Sequence, residues 1–288
     1  MHIEQTVSPF GQFKGHGWVF LLAPVSGLSH PAIARFADHP GTNGSLVGGP
    51  GTLSLMRYSE SPFGEYDEIS YSPGSYEYLN IHNVRPEASA RRITKCYASC
   101  GADKISLIRA SYGIPTEQAM FTWTQTGPHE VTTEISLPNG EFIIRLTVAR
   151  ASLTSFTINT TSLTSNSLDL GKFFPLVQPL QDGNQVVVPR VMDAHSPFLE
   201  SAPLLKWYSS IYGIATASKI VRSATNPLYF PPVEQARVSR LGLVITDMVM
   251  TLNEPVIVVD VITPRERRRR RCRMTGWLDG IIYRDIGD

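Results

Sequence analysis

Apolar residues in this chain come in short runs cut by turn-forming residues, and no long stripe at helical spacing interrupts that rhythm. The clearest unit is Glu130–Val148, where two β-rich arms flank Asn139-Gly140, a pair that tolerates the positive φ of a tight hairpin turn. Strand-like runs also occupy Gly51 to Met56, Glu68 to Tyr71, Ile105 to Arg109, Ala119 to Thr124, Ser155 to Thr160, Gln185 to Pro189 and Leu241 to Met250. Glu254 to Ile262 is rich in β-branched residues and apolar over most of its length, which predicts a central strand covered on both faces. Trp18 to Ala23 ends at Pro24 and reads as a buried strand. Helical signal is confined to His30–Ala37 and Pro203–Ile211.

Strands at this spacing predict a β-rich α+β fold, a mostly antiparallel sheet closed or folded over on itself with a few small helices. The 22 glycines and 21 prolines, spread along the whole chain, suit short strands and turns better than long helices. No repeat of fixed period divides the 288 residues, and 1–288 is read as a single domain. The hydroxyl-rich patch Asn159–Ser167 reads as an exposed loop or strand end, since β-rich sequence flanks it on both sides.

Charge changes this picture little. A formal net charge of +1 gives no general argument for nucleic acid or membrane partners, and no run approaches the roughly 18 apolar residues of a membrane span. Three cysteines, Cys96, Cys100 and Cys272, imply no disulfide framework and point to a reducing, cytoplasmic setting. The basic run Arg265–Arg273 fits a solvated loop between late strands; nuclear targeting or contact with nucleic acid or anionic lipid is its other reading. The glycines of Gly41 to Gly51 read as a flexible loop.

Two stretches carry candidate chemistry. The first is Ser61-Pro-Phe-Gly-Glu-Tyr-Asp-Glu68-Ile-Ser-Tyr-Ser-Pro-Gly74, and the second is Arg109-Ala-Ser-Tyr-Gly-Ile-Pro-Thr-Glu117. Together they resemble the acetoacetate decarboxylase-like superfamily in its fungal form, with a first run S-P-x-G-x-Y-x-E and a second R-x5-P-K. The resemblance implies a cone-like β-barrel with an internal hydrophobic pocket, flanking small helices and assembly into homo-oligomers. It also implies a lysine after Pro115 that forms a Schiff base with a ketone substrate, and there this chain carries Thr116, followed by Glu117. A hydroxyl cannot form an iminium. Ala110, after the arginine, stands where family decarboxylases often carry an acid.

By that resemblance Glu68 is the pocket carboxylate, and enclosure in an apolar pocket would raise its pKa and suit it to general acid or base work. Its plain alternative is a solvated residue at the start of a strand. Arg109 could grip a carboxylate, enolate or phenolate in two-pronged geometry, or could pair with an acid such as Glu117. Thr116 could donate a hydrogen bond to a substrate carbonyl, and Phe63, Tyr66, Tyr112 and Glu117 complete the candidate substrate-binding set. Core packing explains the aromatic members equally well.

A relocated amine would have to come from Lys14, Lys95, Lys104, Lys172, Lys206 or Lys219. The seven histidines form no H-E-x-x-H pair and Cys96-x3-Cys100 has no second ligand pair, so no metal or other cofactor is expected. No G-x-S-x-G elbow or Walker phosphate loop occurs. By that resemblance the chain is expected to be a cofactor-independent enzyme of secondary metabolism acting on a small polyketide-like or β-keto compound. Its expected reaction is cyclisation, isomerisation, dehydration or another lyase step. The alternatives are β-keto acid decarboxylation through a relocated lysine or no imine, and a non-catalytic small-molecule carrier.

Overall fold

The computed structural model describes residues 10–22, 46–48, 51–79, 86–159, 176–179, 204–207, 209–233, 241–252 and 256–258. Strands dominate them. Ten form one sheet: β1 (Gly11–Leu22), β3 (Gly51–Glu60), β4 (Tyr66–Ser72), β7 (Lys95–Ala98), β8 (Thr116–Gln118), β9 (Met120–Gly127), β10 (Glu130–Ser136), β11 (Phe142–Asn159), β14 (Ser209–Thr225) and β15 (Leu241–Leu252). Their order is β8-β7-β4-β3-β1-β15-β14-β11-β10-β9, antiparallel throughout except for β7 with β8. A second sheet orders β16 (Val256–Val258), β13 (Leu204–Trp207), β12 (Leu176–Pro179), β6 (Pro86–Arg91), β5 (Ser75–Leu79) and β2 (Leu46–Gly48).

Alternation along each strand gives the large sheet two apolar faces. One buries Trp18, Phe20, Leu53, Leu55, Ile69 and Tyr71 against Ile135, Ile144, Leu146 and Val148, which come from strands far away in the order. Such contacts across one face require the sheet to curl strongly. The stacked pair Trp18 and Trp123, with centroids 5.7 Å apart, spans β1 and the edge strand β9. Curling stops short of closure: among the described residues β8 and β9 remain unpaired edges, so the expected closed barrel is an open, curled sheet.

The opposite face carries Phe13, Met56, Tyr58 and Tyr66 and is covered by α1 (Ala102–Tyr112), the one α-helix among the described residues. Ile105 to Arg109, expected as a strand, lies inside this helix. Ile105, Ile108 and Tyr112 are its buried positions, spaced to share one face, and Asp103 sits favourably in the first turn. Gly113 ends the helix at φ 64°, its N–H donating to the Arg109 carbonyl, and Pro115 prevents continuation. Ile105 and Ile108 suit a strand locally, but three and four residues of spacing to Tyr112 put all three on one helical face.

Within Pro203–Ile211, expected as a helix, the described residues form β13 and the start of β14 instead. Ladders on both sides of β14, to β11 and β15, override local helical preference. The apolar run Glu254–Ile262 contributes β16, which among the described residues is an edge strand of the second sheet and not a central one. Gly41 to Gly51, read as a loop, contains β2 and the first residue of β3. His30–Ala37, Gln185–Pro189 and the arginine run 265–273 lie outside the described residues.

The hairpin at Asn139-Gly140 forms between β10 and β11 with a longer turn than the dipeptide suggests. Gly140 alone takes positive φ, at 86°, and donates its N–H to the Leu137 carbonyl, while Leu137 N–H donates to the Glu141 carbonyl. Pro138 then fits the first corner of an ordinary turn followed by a left-handed glycine.

Candidate functional site

Period-two alternation on β4 places Tyr66, Glu68, Ser70 and Ser72 on one face, and all four line a cavity of about 110 Å³. Antiparallel pairing with β3 sets Tyr58, Met56, Ser54 and Thr52 opposite them in that order. The wall therefore runs from paired tyrosines, through Glu68, to a ladder of hydroxyls. Ile108 and Tyr112 of α1 contribute across from it, with Ile211 of β14 and Met250 of β15 further along the sheet. Lining is predominantly apolar apart from these groups and Arg91.

Glu68 keeps some accessible surface, but that surface faces the cavity, and enclosure by protein is what dominates its titration. Desolvation pushes its pKa up to about 7, against hydrogen bonds from Tyr66 and Ser70 that favour the charged form. Tyr66 Oη donates to Glu68 Oε2 at 3.4 Å. Burial and the Glu68 charge hold Tyr58, Tyr66 and Tyr112 above their ordinary value, so near neutral pH all three are protonated donors. The same causes raise the buried thiol of Cys96 and bring Cys100 to about 11. Both cysteines are free.

Of the residues singled out in the sequence, Tyr66, Glu68 and Tyr112 line this cavity together. Phe63 packs behind it, its ring 6.3 Å from Tyr66 and 5.9 Å from Tyr112. Arg109 is not among the described lining residues; its Nε donates to the Thr116 carbonyl and ties α1 to β8. Thr116 is fully buried, with its hydroxyl donating to the Ile114 carbonyl at 3.3 Å. It shares a cross-strand row with Cys96 and Ser70, and so lies on the cavity's side of the sheet but one strand beyond Cys96. Glu117 faces the other way and pairs with Lys95, whose ammonium sits 4.6 Å over the Tyr97 ring.

Sequence reasoning missed Tyr58, the hydroxyl ladder and Arg91. The ladder was readable, because Tyr66-x-Glu68-x-Ser70-x-Ser72 is a period-two pattern. Arg91 had no local signal. None of the lysines among the described residues lines the cavity. Among those residues no three His, Cys, Asp or Glu side chains converge as metal ligands, and no helix is long and apolar enough to cross a membrane.

No family model and no curated protein sequence matches the chain. Solved structures do. MppR, an enduracididine biosynthesis enzyme complexed with pyruvate, superposes with a TM-score of 0.52 at 11% identity, over 90% of this chain and 95% of that one. The chain shares the fold of MppR. A second MppR structure, with HEPES buffer bound, gives a TM-score of 0.50 at 12% identity, covering 90% of this chain and 92% of the other. An acetoacetate decarboxylase-like enzyme from Sphingomonas wittichii RW1 aligns more loosely, with a TM-score of 0.43 at 11% identity over 86% and 92% of the two chains. At such identities the MppR likeness speaks to fold, and chemistry has to be argued from this chain's own residues.

Proposed function

We propose that this protein is a small-molecule enzyme in which Glu68 moves a proton on a small carbonyl compound held in the cavity, without forming an imine. The observation that carries the reading is one carboxyl, poised near pH 7 by enclosure, facing an apolar space beside protonated tyrosines. Glu68 carboxylate takes a proton from the carbon next to the carbonyl, and the released electron pair moves onto the carbonyl oxygen. Hydrogen bonds from Tyr58 and Tyr112 stabilise the resulting enolate. The protonated Glu68 then returns its proton to a different carbon, completing an isomerisation, or to a departing hydroxyl, which leaves as water. Cyclisation follows if the enolate carbon attacks a second carbonyl of the same molecule.

Thr116, at the place the resemblance gives to a Schiff-base lysine, supports an imine-free course. Arg109 and Thr116 serve this site by holding α1 against β8 and do not touch substrate. The pyruvate bound to MppR supports a small oxo compound as the ligand class. Homo-oligomeric assembly goes with the resemblance, and sedimentation would test it.

Proton exchange tests the reading directly. Incubation with small ketones and 3-oxo acids in deuterated water should give enzyme-dependent loss of the α-proton signal, cut by about a hundredfold or more in Glu68→Gln. Equal exchange by the folded variant removes Glu68 from the chemistry. Borohydride trapping of a lysine adduct would instead support the imine-dependent decarboxylase.

A further inference from the structure

One cationic side chain lines the cavity among the described residues, and neither sequence motif contains it. Arg91 ends β6, is only 5% exposed and lines the cavity that Glu68 lines. Register locates it: Arg91 pairs with Ser75 at the start of β5, and Thr94 N–H donates to the Tyr71 carbonyl at 2.9 Å. The segment Arg91–Thr94 thus runs beside the Ser72 end of β4. Glu68 lies four residues earlier on that strand, on the order of 13 Å away along its axis. Between the two stand the hydroxyls of Ser70 and Ser72, paired with Ser54 and Thr52. The wall is polarised, with a carboxyl toward the tyrosines and a guanidinium toward the hydroxyls.

A guanidinium stays charged at any working pH, presents two parallel N–H donors to a carboxylate, and attracts an anion more strongly in an enclosed site than at a surface. A cavity of about 110 Å³ is small beside the roughly 300 Å³ at which ordinary ligand pockets begin, which restricts the occupant to a short chain. We propose that Arg91 is the anion-binding residue of this cavity, holding the carboxylate of a short-chain acid. The hydroxyl row steadies the middle of that acid, and the far carbon is presented to Glu68. The assignment rests on the reading of the cavity as the substrate site and adds to it the substrate's class and direction.

Ligand-observed NMR at pH 6 with butanoate and butanamide tests it, because the two probes differ in charge and scarcely in shape. The unmodified protein should bind butanoate about tenfold or more tighter than butanamide. Arg91→Met should abolish the preference, Arg91→Lys should keep part of it, and Glu68→Gln should leave it in place. Equal affinity for the two probes, no binding of butanoate, or a preference that survives Arg91→Met would each overturn the assignment. Comparison of the two probes on the unmodified protein needs no variant, so the test stands even if Arg91→Met fails to fold. Loss of proton exchange in every substrate tried, with the butanoate preference intact, would sink the role of Glu68 and leave that of Arg91 standing.

Discussion

Trp123 on β9 donates its indole N–H to Asp67 Oδ2 on β4 at 2.9 Å, although β4 is third and β9 tenth in the strand order of the large sheet. In a flat sheet those strands would lie on the order of 30 Å apart. One hydrogen bond therefore records how far the sheet has curled. Arg57 joins the contact, its guanidinium 4.7 Å over the Trp123 ring and its Nε 3.2 Å from Asp67 Oδ1.

Side chains thus close what the strand ladder leaves open. Trp123→Phe keeps an aromatic ring near Trp18 but removes the hydrogen bond and part of the indole's packing, so it should cost about 1–3 kcal/mol. Asp67→Ala removes the acceptor for both Trp123 and Arg57 and should cost about 1–3 kcal/mol, nearly all of it from the indole N–H left without its acceptor, since Arg57 is half exposed and its ion pair adds little. Urea denaturation of the three proteins checks this, and equal stabilities would mean the curl is held by apolar packing alone.

The raised pKa of Glu68 makes stability fall with rising pH. Its carboxyl binds a proton up to about pH 7 in the folded chain but only to about 4.5 when unfolded. Between those values the folded state holds a proton that the unfolded state has lost, so the stabilisation is full below 4.5 and is lost as pH rises to about 7. At most this amounts to about 3 kcal/mol. Glu68→Gln should flatten that part of the profile, read as a smaller difference in unfolding free energy between pH 5 and pH 8. An unchanged difference would place the carboxyl in a more solvated setting.

Arg109→Ala should act on the scaffold. Losing its bond to the Thr116 carbonyl unties α1 from β8 at a cost of about 1–2 kcal/mol. The melting temperature should drop while butanoate binding at 25 °C changes less than threefold, a small effect beside the tenfold or greater change that loss of a direct charged contact gives. A large loss of anion binding at unchanged stability would return Arg109 to the site.

Gly242 faces Phe20 across the β1–β15 ladder, and an added Cβ would overlap both the Val19 carbonyl oxygen and the Phe20 ring. Backbone cannot yield as a flexible side chain can, so Gly242→Ala should cost about 1–3 kcal/mol or more. A thermal melt indistinguishable from the unmodified protein would show that β1 and β15 can separate slightly.

The strand pattern, the hairpin at Asn139-Gly140 and the paired placement of Tyr66 and Glu68 were legible in the chain, because period two, turn chemistry and a shared strand face are local properties. Local signals misled where partners decide. Ile105 and Ile108 look like strand residues until Gly113 ends a helix, and β13 and the start of β14 form through ladders to segments far away in sequence. Which charge meets which cavity was not readable at all. Arg109 was open to gripping a ligand or pairing with an acid, and its Nε donates to the Thr116 carbonyl, whereas Arg91 is placed beside the cavity through a pairing between β5 and β6. Residue types and their spacing along one strand fix what a face can offer, but only the curl and register of the whole sheet determine which faces meet, since those contacts join residues that no local rule connects.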